Sequence, residues 1–210
     1  APTLIITDSS IGPWYVVLQM RDAGIPVVIV DSHRDLESVG ELTRQVAAAV
    51  GLPQEGEELA ARTDNEVAEM VGQIDDIAPD PGLRTVFLYV RGQSGIYYMF
   101  GESSGADSLI EAVGGVDVAT EIGWKGMQPV NDEGLIAAEP ELILMMTNGL
   151  ESVGGVDGLL EKLPALANTP AGQNHRIVDM ADNQVLSFGP GSAQVLEALA
   201  VAIYAPEPSA

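Results

Sequence analysis

The chain has no cysteine, only two histidines, and nine basic residues against 31 acidic ones in 210 positions. Without thiols there are no disulfides, thiolate metal sites or iron–sulfur clusters, although a disulfide-free protein can live in any compartment. His33 and His175 lack HExxH spacing, so a closed zinc or manganese site of several imidazoles cannot be built. The formal charge of −22 opposes nucleic acid as a partner, because phosphate contacts need clustered Lys and Arg. That same field attracts cations or a basic docking surface at long range. No run approaches the ~18 apolar residues of a membrane helix, and the N-terminus lacks the basic start and apolar stretch of a signal peptide. The protein is therefore cytosolic, or its targeting segment is missing. Neither GxxxxGK followed by Ser or Thr, nor GxGxxG after a strand, is present to cradle a nucleotide.

What is there suits an α/β fold. Hydrophobic residues make up 46% of the chain, enough for one large domain or two small lobes with real cores. "TLIIT" from Thr3, "WYVVLQMRDAG" from Trp14 and "PVVIVD" from Pro26 read as strand, helix and strand, a βαβ unit with parallel strands. Gly24 fits the helix C-cap. Two parallel strands cannot be a domain, and the chain opens on a buried-looking strand with nothing before it as cover. This predicts a piece of a longer protein whose missing part is N-terminal, with a first lobe that is incomplete. An exposed parallel edge of that kind invites pairing between chains, so a homo-dimer of the fragment is expected.

Helical patterns follow over Leu36 to Leu52 and from Glu55 to about Ile77, the second closed by "APDPG". The expected division is 1–54 for the remainder of an N-terminal α/β lobe, 55–78 for a linker helix and 79–210 for a C-terminal α/β lobe. In the last, strands at "RTVFLYV", "ELILMM" and "HRIVDM" alternate with helices at "DSLIEAVG", "NDEGLIAAEP" and "GSAQVLEALAVAIY", which predicts a parallel sheet.

The stretch "YVRGQSGIYYMFGESSG", Tyr89 to Gly105, supports two chemistries. "GESSG" matches a nucleophile elbow, and Asp157 with His175 would supply the remaining triad members in hydrolase order, making Ser103 a candidate nucleophile. Against it, His175 stands in "QNHRIVDM" at a strand start, and a Gly–Ser turn capped by Ser104 or Asp107 explains the motif without catalysis. Separately, Tyr89 and Arg91 share a face at the end of a strand. A guanidinium near a phenol favours phenolate, a hard anionic ligand for ferric iron; alternatively Arg91 holds a ligand carboxylate, or the pair is a packed tyrosine beside an exposed arginine.

The segments "LYVRGQSGIYYMFGESSGADSLIEAVGG", "VNDEGLIAAEPELILMMTNGLESVGGVDGLL" and "NTPAGQNHRIVDMADNQVLSFGP" resemble the haem-binding substrate-binding proteins of bacterial ABC importers. These belong to the wider group of receptors for cobalamin, siderophores and haem. The resemblance spans nearly the whole chain, with "YVRG", "IYYMFGE" and "LSFGP" suggesting the haem subgroup. It implies two α/β lobes joined by one long helix, with ligand held in the cleft between them and no catalysis. The iron-ligating tyrosine would fall on Tyr89 and its supporting arginine on Arg91, with haem as the transported ligand. Neither His33 nor His175 matches a second axial ligand.

The resemblance further implies an extracytoplasmic location, in the periplasm or at a lipid anchor absent from this chain. It implies docking onto permease subunits through an acidic residue, for which the match is Glu133. Tyr97, Tyr98, Met99 and Phe100 could supply an apolar wall for a macrocycle. Strand alternation lets only half of them face it, and the sequence favours neither Tyr97 with Met99 nor Tyr98 with Phe100. Trp124 and Met127 are weaker candidates. A receptor for cobalamin or a ferric siderophore would keep this frame without needing Tyr89 as an iron ligand.

Overall fold

A computed structural model describes residues 2–205. The N-terminal unit is strand β1 (Ile5–Asp8), helix α1 (Trp14–Asp22) and strand β2 (Val27–Val30). The strands pair in parallel, Ile5 opposite Val27 through Asp8 opposite Val30. Gly24 sits just past the helix at φ 79°, the left-handed conformation that ends a helix at least cost when there is no Cβ. Of α1 only Val17 is buried, and Trp14, Tyr15 and Leu18 are exposed.

Two helices follow, α2 (Val39–Ala49) and α3 (Pro53–Asp75). Pro53 opens α3 where a missing N–H is harmless, and the helix runs 23 residues, about 34 Å at 1.5 Å per residue. Gly56, Ala60 and Thr63 form its buried small face, with Gly56 against Ala47 of α2, so the two helices approach closely. Arg44 closes the rim with an ion pair to Glu57 at 2.7 Å. The other side of α3 carries Ile74, Val67 and Met70 into the main core.

The rest of the chain is strand β3 (Leu83–Arg91), β4 (Ile96–Phe100), helix α4 (Ala106–Ala112), β5 (Gly115–Asp117), α5 (Val118–Glu121), β6 (Met127–Pro129), α6 (Asp132–Ala138), β7 (Leu142–Met146), α7 (Thr147–Glu151), α8 (Gly155–Lys162), α9 (Pro170–Gln173), β8 (Ile177–Met180) and α10 (Ser192–Tyr204). The strands form one sheet in the order β6-β4-β3-β7-β8, with β5 also pairing the start of β3. Period-two alternation along β3 divides the core. Val86, Leu88 and Val90 join Ile143 and Met145 of β7 under α5, α6 and α8. Phe87 joins Leu142 and Leu144 under α3, α4 and α10.

The expected parallel sheet requires correction. β3 is parallel to β5 and β7, and β7 to β8, but β4 runs antiparallel to both β3 and β6. The cause is local: between β3 and β4 the chain reverses in a tight turn over Gly92–Ser94, with Gly95 at φ 63°. So short a connection makes only a hairpin, whereas parallel pairing needs a crossover of a dozen or more residues.

Candidate functional site

The end of β3 lies at the carboxyl edge of the sheet, where open α/β folds bind ligands. Register sets Tyr89 opposite Tyr98 and Phe87 opposite Phe100. Three rings form a continuous file on that face. Phe87, fully buried, lies 5.3 Å from Phe100 between centroids, and Phe100 stacks on Tyr89 at 6.1 Å and 22°. The Arg91 guanidinium completes the file, its Cζ 4.8 Å from the Tyr89 ring centroid. A cation over an aromatic face is attracted by the ring quadrupole. The file thus runs from core to rim, and Tyr89 and Arg91 are half-buried at its outer end.

Residues beyond the strand hold this end in place. Arg91 Nη2 donates to Asp182 Oδ2 at 3.2 Å, and Asp182 Oδ1 accepts the Asn148 N–H at 3.1 Å. Burial works against the Asp182 charge, but hydrogen bonds from the backbone and side chain of Asn148, and then Arg91, outweigh it, so its pKa falls below the ordinary carboxylate value. The Gly92 N–H donates to Ser152 Oγ at 2.8 Å. A Cβ on Gly92 would come within 2.5 Å of Val153 Cγ1, so the tip of β3 packs on the loop after α7 only because this residue is glycine.

The four candidates for a ligand wall divide by face. Tyr98 and Phe100 share the face of Tyr89. Met99 is fully buried in the opposite core with Val86 and Leu88, and Tyr97 packs against that same cluster. Met99 as a wall residue is therefore corrected to a core residue, because pairing with Leu88 points it away from the tyrosine. Trp124 is half-buried on that opposite side, over Gly134, and Met127 is exposed on β6. Glu133 is exposed in the first turn of α6, where Asn131 caps the helix by accepting the Gly134 N–H at 2.7 Å.

Ser103 has a left-handed backbone, φ 63°, as a nucleophile elbow requires. Its surroundings belong to a cap, however. The Asp107 carboxylate accepts N–H groups from Ser103 at 2.6 Å and Gly105 at 2.9 Å, and the Ser104 N–H turns back onto the Gly101 carbonyl. Asp157 is exposed in the first turn of α8 and His175 is exposed before β8 at φ 52°. Among the described residues no hydrogen bond joins either to Ser103. His33 shares a cavity of about 340 Å³ with Ser103, but its Nε2 faces Asp35 Oδ2 at 2.8 Å. A cavity of about 820 Å³ beside α3 and α4 is lined by Asp35, Glu37, Asp64, Asp75, Asp107 and Glu111. Its carboxylates would repel an anionic ligand.

Sequence reasoning missed Asp182 and Asn148. The signal available for the first was a carboxylate in "MADNQ", two residues past the end of a core strand, where a parallel sheet displays its ligand-contacting residues. Nothing local marks Asn148, which reaches Asp182 through its backbone N–H and its side chain.

An α/β fold of the two-lobe binding-protein type, with a long helix beside a mixed sheet, is the class these features define. The chain belongs to the periplasmic binding protein family, whose model matches residues 1–183. Among solved structures it is similar to the periplasmic haem-binding protein RhuT from Roseiflexus sp. RS-1 in apo form, at 39% identity and TM-score 0.89, covering 97% of this chain and 76% of that one. It is also similar to the haem-binding protein HmuT, at 42% identity and TM-score 0.91, covering 98% and 66%. A curated relative, the uncharacterized ABC transporter substrate-binding lipoprotein YvrC of Bacillus subtilis (strain 168), is 23% identical over 189 residues. The chain spans 57% of that relative's length, with 90% of its own residues aligned.

Proposed function

We propose that this chain is the ligand-holding part of an extracytoplasmic receptor that binds haem and passes it to an ABC importer, without catalysing a reaction. The observation that carries the reading is the file Phe87, Phe100, Tyr89, Arg91, ending in a half-buried phenol beside a cation. In this reading the Tyr89 oxygen ligates the ferric iron, and Arg91 sets positive charge beside it. Tyr98 and Phe100 offer the macrocycle an apolar surface, Tyr97 lying on the far side of the strand. Support comes also from the haem-binding proteins it resembles at 39% and 42% identity.

The long helix α3 is then the connector, with residues 1–54 and 79–210 belonging to the two lobes. Glu133, exposed at a helix start, is the acidic contact for the permease. Ordinary capping also accounts for an acid there, since the helix dipole favours it, so docking is judged by the loss of transport alone in Glu133→Ala.

The test is a hemin titration followed by absorbance on this chain, on Tyr89→Ala and on a longer form extended at the N-terminus. Saturable binding with a ferric–phenolate spectrum, absent from Tyr89→Ala, is the expected result. Binding that ignores Tyr89 in both lengths would redirect the assignment to cobalamin or a ferric siderophore. Ser103-dependent labelling by a fluorophosphonate probe would instead favour a serine hydrolase.

A further inference from the structure

We infer that Asp182 is a positioning residue for the ligand site: it holds Arg91 against Tyr89 rather than leaving the guanidinium free to seek a ligand carboxylate. The inference rests on the haem reading and settles which of two jobs Arg91 performs. Asp182 lies just past β8 and Tyr89 near the end of β3, with β7 between them in the sheet. One oxygen of Asp182 takes the Arg91 Nη2 hydrogen at 3.2 Å while the other is tied to the Asn148 N–H at the start of α7, 3.1 Å away. The carboxylate is thus fixed at both ends, to the rigid carboxyl edge of the sheet on one side and to the arginine on the other.

The arginine is fixed in turn. Its Cζ stands 4.8 Å from the Tyr89 ring centroid, and Nη1 is 3.5 Å from the Val90 carbonyl. A propionate approaching Nη2 would have to displace a resident carboxylate of equal charge and gain little by the exchange. Charge delivered to the tyrosine involves no such displacement, because the guanidinium is already beside the ring. The side chains of Arg91 and Asp182 are 36% and 22% exposed, so the pair is partly screened and its effect on affinity is moderate rather than absolute.

The experiment measures hemin affinity and the wavelength of the phenolate-to-iron charge-transfer band in wild type, Arg91→Ala, Asp182→Asn and the double variant, with Tyr89→Ala as the reference for a lost ligand. Asp182→Asn is expected to weaken binding about fivefold, the size of a partly exposed ion pair, and to move the band toward its position in Arg91→Ala. In the Arg91→Ala background the same change should do nothing more, since Asp182 acts through Arg91. If Asp182→Asn matches wild type in affinity and band, or lowers affinity equally in both backgrounds, the inference is wrong. Asp182→Glu keeps the charge and should restore part of both readouts, and it carries the comparison should Asp182→Asn melt near the assay temperature. A wild-type protein without a Tyr89-dependent band overturns the haem reading and this inference together, whereas a normal band without coupling overturns the inference alone.

Discussion

The two sheets of this molecule differ in how completely they are covered. The sheet containing β3 is packed on both faces, and Val86, Phe87 and Leu88 are inaccessible to solvent. In the β1–β2 sheet, β1 has no buried residue, β2 has only Val30, and the helix beside it exposes Trp14, Tyr15 and Leu18. A ligand site needs side chains held by packing, and the candidate site grows from the first sheet, its aromatic file rooted in that core.

The sharpest test of this contrast is to truncate one residue in each sheet's surroundings. Phe87→Ala should destabilise by about 3–5 kcal/mol through lost burial and a cavity, and should also loosen Tyr89 through Phe100. Leu18→Ala, 45% exposed on α1, should stay within about 1 kcal/mol. Denaturant midpoints compare the two, and equal losses would mean that the N-terminal unit is as tightly integrated as the main sheet.

A smaller effect of opposite sign is expected in the helical layer between the sheets. Thr63 is 1% exposed in α3, and its hydroxyl has no hydrogen-bond partner among the described residues. Replacing it with valine, nearly the same shape, removes an unsatisfied polar atom and should stabilise by about 1 kcal/mol. Loss of stability in Thr63→Val would show that the hydroxyl finds a partner in solution.

The smallest effect concerns the closing helix. Tyr204 donates from its hydroxyl to the Val113 carbonyl at 2.6 Å, satisfying an acceptor left open at the end of α4. Burial raises the phenol's pKa above the ordinary value of 10, more than the nearby Arg176 lowers it. A folded-state pKa raised above the unfolded one gives stability that is full below pH 10 and is lost as pH rises through the higher value. Tyr204→Phe should therefore lose roughly 1 kcal/mol near neutrality and show a flatter decline in alkali. Parallel alkaline declines would assign the loss to other groups.

Much of the site was legible because it depends on short-range periodicity. Tyr89 and Arg91 stand two apart in an apolar run that ends in glycine, which fixes their shared face and their place at a strand end. Whether Met99 or Phe100 joined them was not legible. That choice depends on the register between β3 and β4, and a slip of one residue would exchange the two faces of β4. The antiparallel course of β4 was missed for a related reason: apolar runs look alike in either direction, and only the short turn over Gly92–Ser94 decides.

By itself the sequence determined the α/β class, the long helix α3, the places of β3, β7, β8, α4, α6 and α10, and the tyrosine–arginine pair, since all follow from local spacing, capping and hydrophobic period. Only the tertiary structure decided that Asp182 and Asn148 meet Arg91, that Phe87 and Phe100 support Tyr89 from below, and that Met99 belongs to the core. Those contacts join residues from separate strands and loops. Their proximity comes from strand order and register, which neighbouring residues in the chain do not encode.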